Sequence, residues 1–142
     1  MLNAETKEKD FEEDIAAYFW SPAGGYTRNA DACDPALGLF PATLVRFVKA
    51  TQPKAWKRFE NMLAAEPEKR FCRAFANACE MDGVLHVLRH GFKHRGVAFR
   101  VCYFKPESEL NELDARNYKK NELTCNRQWF YSARKRSFRM RG

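Results

Sequence analysis

A chain of 142 residues with 45% hydrophobic and 14% aromatic content carries enough apolar surface for one core, so one globular unit, or most of one, is expected. It contains no run of eighteen apolar residues, and Met1 to Glu8 lacks the charged-then-apolar order of an export signal; this argues against a helical membrane span and predicts a cytoplasmic protein with no membrane partner. The net charge of +7 suits an anionic partner, but five cations lie in the last nine residues and the balance without them is +2, so bulk charge is a poor argument for nucleic-acid binding.

The first periodic segment runs from Lys7 to Trp20, where Phe11, Ile15 and Phe19 recur at i, i+4 and i+8 while Glu8, Glu12 and Glu13 lie off that stripe. An amphipathic helix is expected, with its early acids suited to the positive end of the helix dipole. Ser21-Pro22-Ala23-Gly24-Gly25 stops it. Gly25 to Arg28 is a brief extended piece and Asn29 to Pro35 a loop. Pro41 fits a first helical turn, with Leu44, Phe47 and Val48 facing the core. Thr51 is placed to cap the next helix ahead of Pro53, with Trp56, Phe59 and Leu63 on one side. A fourth helix is predicted from Pro67 to Cys79 on the spacing of Phe71, Ala74, Phe75 and Ala78, ended by Met81-Asp82-Gly83.

Beyond Gly83 the period changes. Val84 to Leu88 and Val97 to Phe104 are rich in β-branched and aromatic residues and are predicted as strands, with bends at Gly91 and Gly96. Asn111 to Asn121 is a short polar helix contacting the core through Leu113 and Tyr118, and Thr124 to Tyr131 is a last strand. Helices first and strands later predict an α/β (α+β) fold. The aromatic final strand runs into an Arg/Lys tract with nothing to cover it, so the chain is expected to be cut short. Residues 7–132 then form a partial domain and residues 133–142 a basic tail without fixed structure.

The five cysteines form no CxxC pair and are odd in number, and with no export signal they are read as thiols, mostly small core side chains. His86, His90 and His94 are four apart and share a face on either a helix or a strand. With no carboxylate or cysteine among them at a tight spacing, and with Gly91 interrupting, exposed strand or loop histidines are the expectation and no metal site is assigned. No phosphate loop, GxSxG elbow or HExxH pair is present. The run Arg89-His90-Gly91-Phe92-Lys93-His94-Arg95 interleaves cations with an aromatic, so Arg89, Lys93 and Arg95 are candidate phosphate contacts, with Phe92 able to stack on a base. The bland alternative is a solvated hairpin turn. Arg134, Lys135 and Arg136 open the terminal tract, which can be a phosphate-binding arm, a solvated tail, or residues read out of frame after a break in the gene.

Several segments in order resemble the N-terminal region of the restriction (R) subunit of type I restriction-modification enzymes. They are Phe11 to Ile15, Leu39 to Pro41, Phe47 to Pro53, Val84 to Lys93 and Phe99 to Pro106, followed by Asn111, Tyr118, Asn121 and Arg127 to Ser132. The likeness covers Lys7 to Ser132 and rests on order and spacing more than on any short motif. It implies an incomplete nuclease domain of the restriction-endonuclease-like class, with N-terminal helices followed by a partial sheet. The full-length family performs ATP- and Mg²⁺-dependent DNA cleavage in complex with methylation and specificity subunits. An Asp and a Glu-x-Lys on successive strands hold the Mg²⁺ there, and those strands would follow Tyr131-Ser132, where this chain has Ala133 and the basic tract. The resemblance therefore implies a chain inactive on its own and without a cofactor of its own. It maps one family acidic residue, Glu12, to a position near the metal; the alternative is a plain solvent-facing helix carboxylate. A rival reading from the charge alone is a small non-catalytic DNA- or partner-binding module.

Overall fold

The structure, a computed structural model, describes residues 4–108 and 110–127. The chain divides into two units, one built from residues 1–30 with 122–142 and the other from residues 31–121.

In the first unit, helix α1 (Ala4–Trp20) ends where Ser21 turns back, its Oγ donating to the Tyr18 carbonyl at 2.6 Å. Gly24 passes so close that an added Cβ would lie 2.2 Å from the Tyr18 oxygen. The returning chain is fastened to the end of α1: Tyr26 N–H donates to the Phe19 carbonyl at 2.8 Å, and the two rings meet edge to face at 5.1 Å. Trp20 Nε1 donates to the Cys125 carbonyl at 2.8 Å. These fastenings set the rotation of α1. The inward row is Glu12, Ala16, Phe19 and Trp20, with Ala16 only 3% exposed, whereas Phe11 and Ile15 of the predicted stripe are 66% and 41% exposed. The predicted strand Thr124 to Tyr131 is reduced to one parallel bridge between Thr27 and Thr124; residues 128–131 lie outside the described residues.

In the second unit, α2 (Pro41–Thr51), α3 (Pro53–Asn61) and α4 (Pro67–Asp82) each begin on a proline, whose fixed φ and missing N–H suit the first turn. Thr51 does not cap α3. It is the buried last residue of α2, its hydroxyl donating back to the Phe47 carbonyl at 2.8 Å, because Pro53 lets the next helix start without a side-chain cap. Helix α4 packs on α2 and continues into α5 (Val84–His90). The segment predicted as a strand, Val84 to Leu88, is thus helical. Gly83, at φ +86°, ends α4 with an N–H bond to the Cys79 carbonyl at 3.0 Å, and its own carbonyl accepts from Val87 N at 3.2 Å to start α5. Five residues, four of them apolar, fit either period; here only Val87 is fully buried, with Leu88 partly so.

Strands β1 (Phe92–His94) and β2 (Val97–Phe99) pair antiparallel with Phe92 opposite Phe99, Lys93 opposite Ala98 and His94 opposite Val97. The turn is Arg95-Gly96, with φ of +49° and +76°, both positive as in the mirror-image turns whose twist matches a hairpin. The predicted strand Val97 to Phe104 enters the ladder only as far as Phe99. Beyond it, side-chain amides replace a partner strand. Gln52 accepts from Arg100 N and donates to Arg100 O, both at 2.7 Å. Asn121 likewise accepts from Tyr103 N at 3.0 Å and donates to Tyr103 O at 2.6 Å.

The core of this unit is aromatic. Phe59 and Phe71 are fully buried and meet edge to face at 5.9 Å, each also meeting Phe99 edge to face, at 5.6 and 4.9 Å. Such pairs contribute about 0.5–1.5 kcal/mol each beyond burial. Helix α6 (Glu112–Tyr118) is capped by Asn111, whose side chain accepts from Asp114 N at 3.2 Å. Its inward residue is Asn117, at 3% exposure; Leu113 and Tyr118, expected as core contacts, are 61% and 41% exposed.

The described architecture is therefore helix-rich with a small antiparallel sheet, α+β in class. All five cysteines are free thiols; Cys72 is buried in the core and Cys79 packs partly buried against it, whereas Cys33, Cys102 and Cys125 are half-buried. No described helix is long and apolar enough to cross a membrane.

Candidate nucleic-acid interface

From Gly83 to Pro106 the sequence holds Arg89, Lys93, Arg95, Arg100 and Lys105, three histidines, and no Asp or Glu. The fold turns this acid-free stretch into α5, the hairpin and the segment clasped by Gln52 and Asn121. Alternation in the hairpin sends Phe92, Val97 and Phe99 inward and Lys93 and Ala98 outward. Arg89 is exposed in the last turn of α5, and Arg95 is exposed at the hairpin tip. Arg100 is exposed, its guanidinium 5.8 Å from the Tyr103 ring centre. Lys93 faces Ala98, and Arg100 follows β2 directly beyond the last paired residue, Phe99.

Arg89, Lys93 and Arg95 are thus placed on one α5–hairpin segment, and none forms an ion pair among the described residues. Some cations elsewhere are engaged with carboxylates, Arg46 with Asp31 at 3.1 Å, Lys49 with Glu68 at 2.6 Å and Lys69 with Glu66 at 3.0 Å, while others such as Lys54, Arg58 and Arg73 are in no ion pair among the described residues. A shallow groove of about 500 Å³ lined by Ala42, Val45, Arg46, Lys49, Ala50 and Glu68 therefore offers little free charge. The Asp31 carboxyl beside it is held below the usual carboxylate range, chiefly by the Thr43 hydroxyl donating at 2.6 Å and also by Arg46, against a smaller opposing effect of burial.

One part of the sequence reading fails at this surface. Phe92 is only 8% exposed, packed against Phe71 at 5.5 Å and Phe75 at 6.0 Å, and cannot stack on a base. The exposed chemistry is cationic. Arg100 and Lys105 are further exposed cations of the same acid-free stretch, outside the Arg89 to Arg95 run; the lack of any acid from Gly83 to Pro106 is the signal for them. His94 is half-buried with its ring 5.8 Å from Phe59, whereas His86 and His90 are exposed on α5.

Glu12 belongs to the other unit. It is partly buried and lies 3.8 Å from the Arg127 guanidinium, which also reaches Glu13 at 3.5 Å. A catalytic Mg²⁺ needs several oxygen ligands in near-octahedral order, of which the Glu12 carboxylate could supply one. Among the described residues no three His, Cys, Asp or Glu side chains gather as metal ligands. Arg134, Lys135 and Arg136, with the rest of the basic tail, lie outside the described residues.

Comparison with protein families, with curated proteins and with solved structures found no match to this chain.

Proposed function

We propose that the chain contacts DNA through phosphates, using Arg89, Lys93 and Arg95, and that it derives from the N-terminal region of a type I restriction R subunit. The observation that carries the contact is Arg95. It occupies a left-handed backbone position at the hairpin tip, φ +49°, where Asn or Gly is the cheaper residue. A residue kept against local conformational preference at an exposed tip is a reason to look for function there. Neighbouring cations with no acid among them supply the remainder of the argument.

Phosphate contact without base stacking predicts binding that ignores sequence and weakens steeply with salt. Three engaged phosphates correspond to a slope of log K against log salt of about −2.7, or roughly a 40-fold loss between 50 and 200 mM. The test is fluorescence anisotropy with a labelled duplex across that range. Arg95→Asn relieves backbone strain and should raise stability by up to about 1 kcal/mol while making the slope shallower by about 0.9. Weaker binding by a more stable variant cannot be blamed on unfolding. An unchanged slope in Arg95→Asn and Lys93→Gln, with all binding lost on deleting residues 133–142, would assign the contact to the tail and sink this reading.

The descent rests on the ordered resemblance from Lys7 to Ser132. Reading the gene downstream of the Ser132 codon in all three frames tests it: an apolar strand with Asp and then a Glu-x-Lys strand in another frame supports descent. Their absence favours the rival, a small DNA-binding module in its own right. Co-purification with methylation and specificity subunits tests whether the family's assembly persists.

A further inference from the structure

On α5, His86 and His90 are one helical turn apart and both exposed, with ring centres 4.7 Å apart and ring planes inclined at 47°. Residues at i and i+4 share a face, so both imidazoles project from the same side of the helix. The separation is informative about what the pair can hold. With metal–nitrogen bonds of about 2.0–2.1 Å and each ring centre about 1.2 Å behind its nitrogen, two imidazoles on one ion sit about 4.6 Å apart at a right angle and about 5.3 Å apart at a tetrahedral angle.

We propose that His86 and His90 form a two-histidine chelating site on α5 for a divalent transition-metal ion that prefers right-angle nitrogen ligands, Ni²⁺ or Cu²⁺ rather than Zn²⁺. The observed 4.7 Å lies nearer the right-angle value than the tetrahedral one. The other chelating candidate, His94, is held against Phe59 on β1 and stands apart from the pair. Arg89 lies between the two in sequence, and its charge limits affinity without blocking two neutral imidazoles from closing on one ion. The site is independent of the DNA reading, since neither histidine is among the phosphate contacts.

The test uses the full chain, reduced, with Ni²⁺ alone as the probe because Ni²⁺ does not oxidise the free thiols. Proton NMR of the histidine rings should show His86 and His90 broadened first and together, with His94 unaffected at the same Ni²⁺ level. Calorimetry should give one equivalent bound, weakened at least tenfold in His86→Asn and in His90→Asn and unchanged in His94→Asn. Both substituted positions are exposed, so circular dichroism should report an unaltered fold. Equal broadening of all three histidines, or unchanged affinity in His86→Asn/His90→Asn, would overturn the proposal. Zn²⁺ bound more tightly than Ni²⁺ would overturn the right-angle geometry.

Discussion

Gln52→Ala removes both hydrogen bonds that clasp the Arg100 peptide, each 2.7 Å long, and leaves the strand after β2 without a neighbour on that side. Each such bond contributes about 0.5–1.5 kcal/mol net, and because Arg100 is exposed, water recovers part of the loss; the expected destabilisation is about 1–2 kcal/mol. For a unit of this size that lowers the melting temperature by about 4–16 °C. Thermal melts followed by circular dichroism measure it, and Gln52→Met, which keeps the length of the side chain but not its amide, separates hydrogen bonding from packing. Both variants should fall together, and the Arg100 amide should exchange with deuterium faster in each. A Gln52→Met protein as stable as the parent, or an Arg100 amide exchanging at its original rate, would show that the clasp contributes nothing.

Gly91→Ala is expected to lose more than about 2 kcal/mol, because its Cβ would stand 2.0 Å from the Phe99 carbonyl oxygen at φ +73°; urea denaturation reads this directly. The lowered Asp31 carboxyl contributes stability that is present above the ordinary carboxylate range and lost as pH falls through its lowered value. Thr43→Val removes the largest cause, so the Asp31 titration followed by carboxyl NMR should move upward and the acid-side loss should become smaller and be complete at higher pH. Burial, aided by the charges of Glu68 and Asp34, pushes the Cys72 thiol up to about 11, so with iodoacetamide at pH 8 it should be the last of the five cysteines alkylated in the folded protein. Modification of Cys72 alongside the others, seen by peptide mass spectrometry, would contradict its burial.

Helices α1 to α4 were legible because each combines an apolar period with a start or stop signal that acts within a few residues: Pro41, Pro53 and Pro67 at first turns, and Gly83 after α4. The stretch after Gly83 was misread because its apolar run is too short for period alone to decide. What makes Val84 to His90 helical is its packing against α4, a tertiary fact. The rotation of α1 was off by one residue for the same reason, being set by Tyr26, Cys125 and Arg127 far along the chain. At the interface, charge was legible and shape was not. The burial of Phe92 depends on Phe71 and Phe75 from α4, and the clasps on Arg100 and Tyr103 come from residues 48 and 18 positions away.

The manner in which the basic segment is held bears on its use. Elsewhere the protein uses both kinds of tether: ion pairs of Arg127 with Glu12 and Glu13 and of Arg46 with Asp31, and an uncharged amide clasp of Asn126 on the Asn29 peptide at 2.9 and 3.0 Å. Between Gly83 and Pro106 the tethers are uncharged: the Gln52 and Asn121 amides, the Cys102 thiol donating to the Leu88 carbonyl at 3.2 Å, and the aromatic core beneath the hairpin. A side-chain amide offers the same donor and acceptor as a peptide, so it satisfies the Arg100 and Tyr103 backbone and blocks another strand from pairing there without adding a charge. A carboxylate in the same role would neutralise the nearby cations and repel an anionic partner. Uncharged tethers add no charge of their own beside Arg89, Lys93, Arg95 and Arg100, so the residue type that caps the sheet edge also leaves the positive charge there uncancelled.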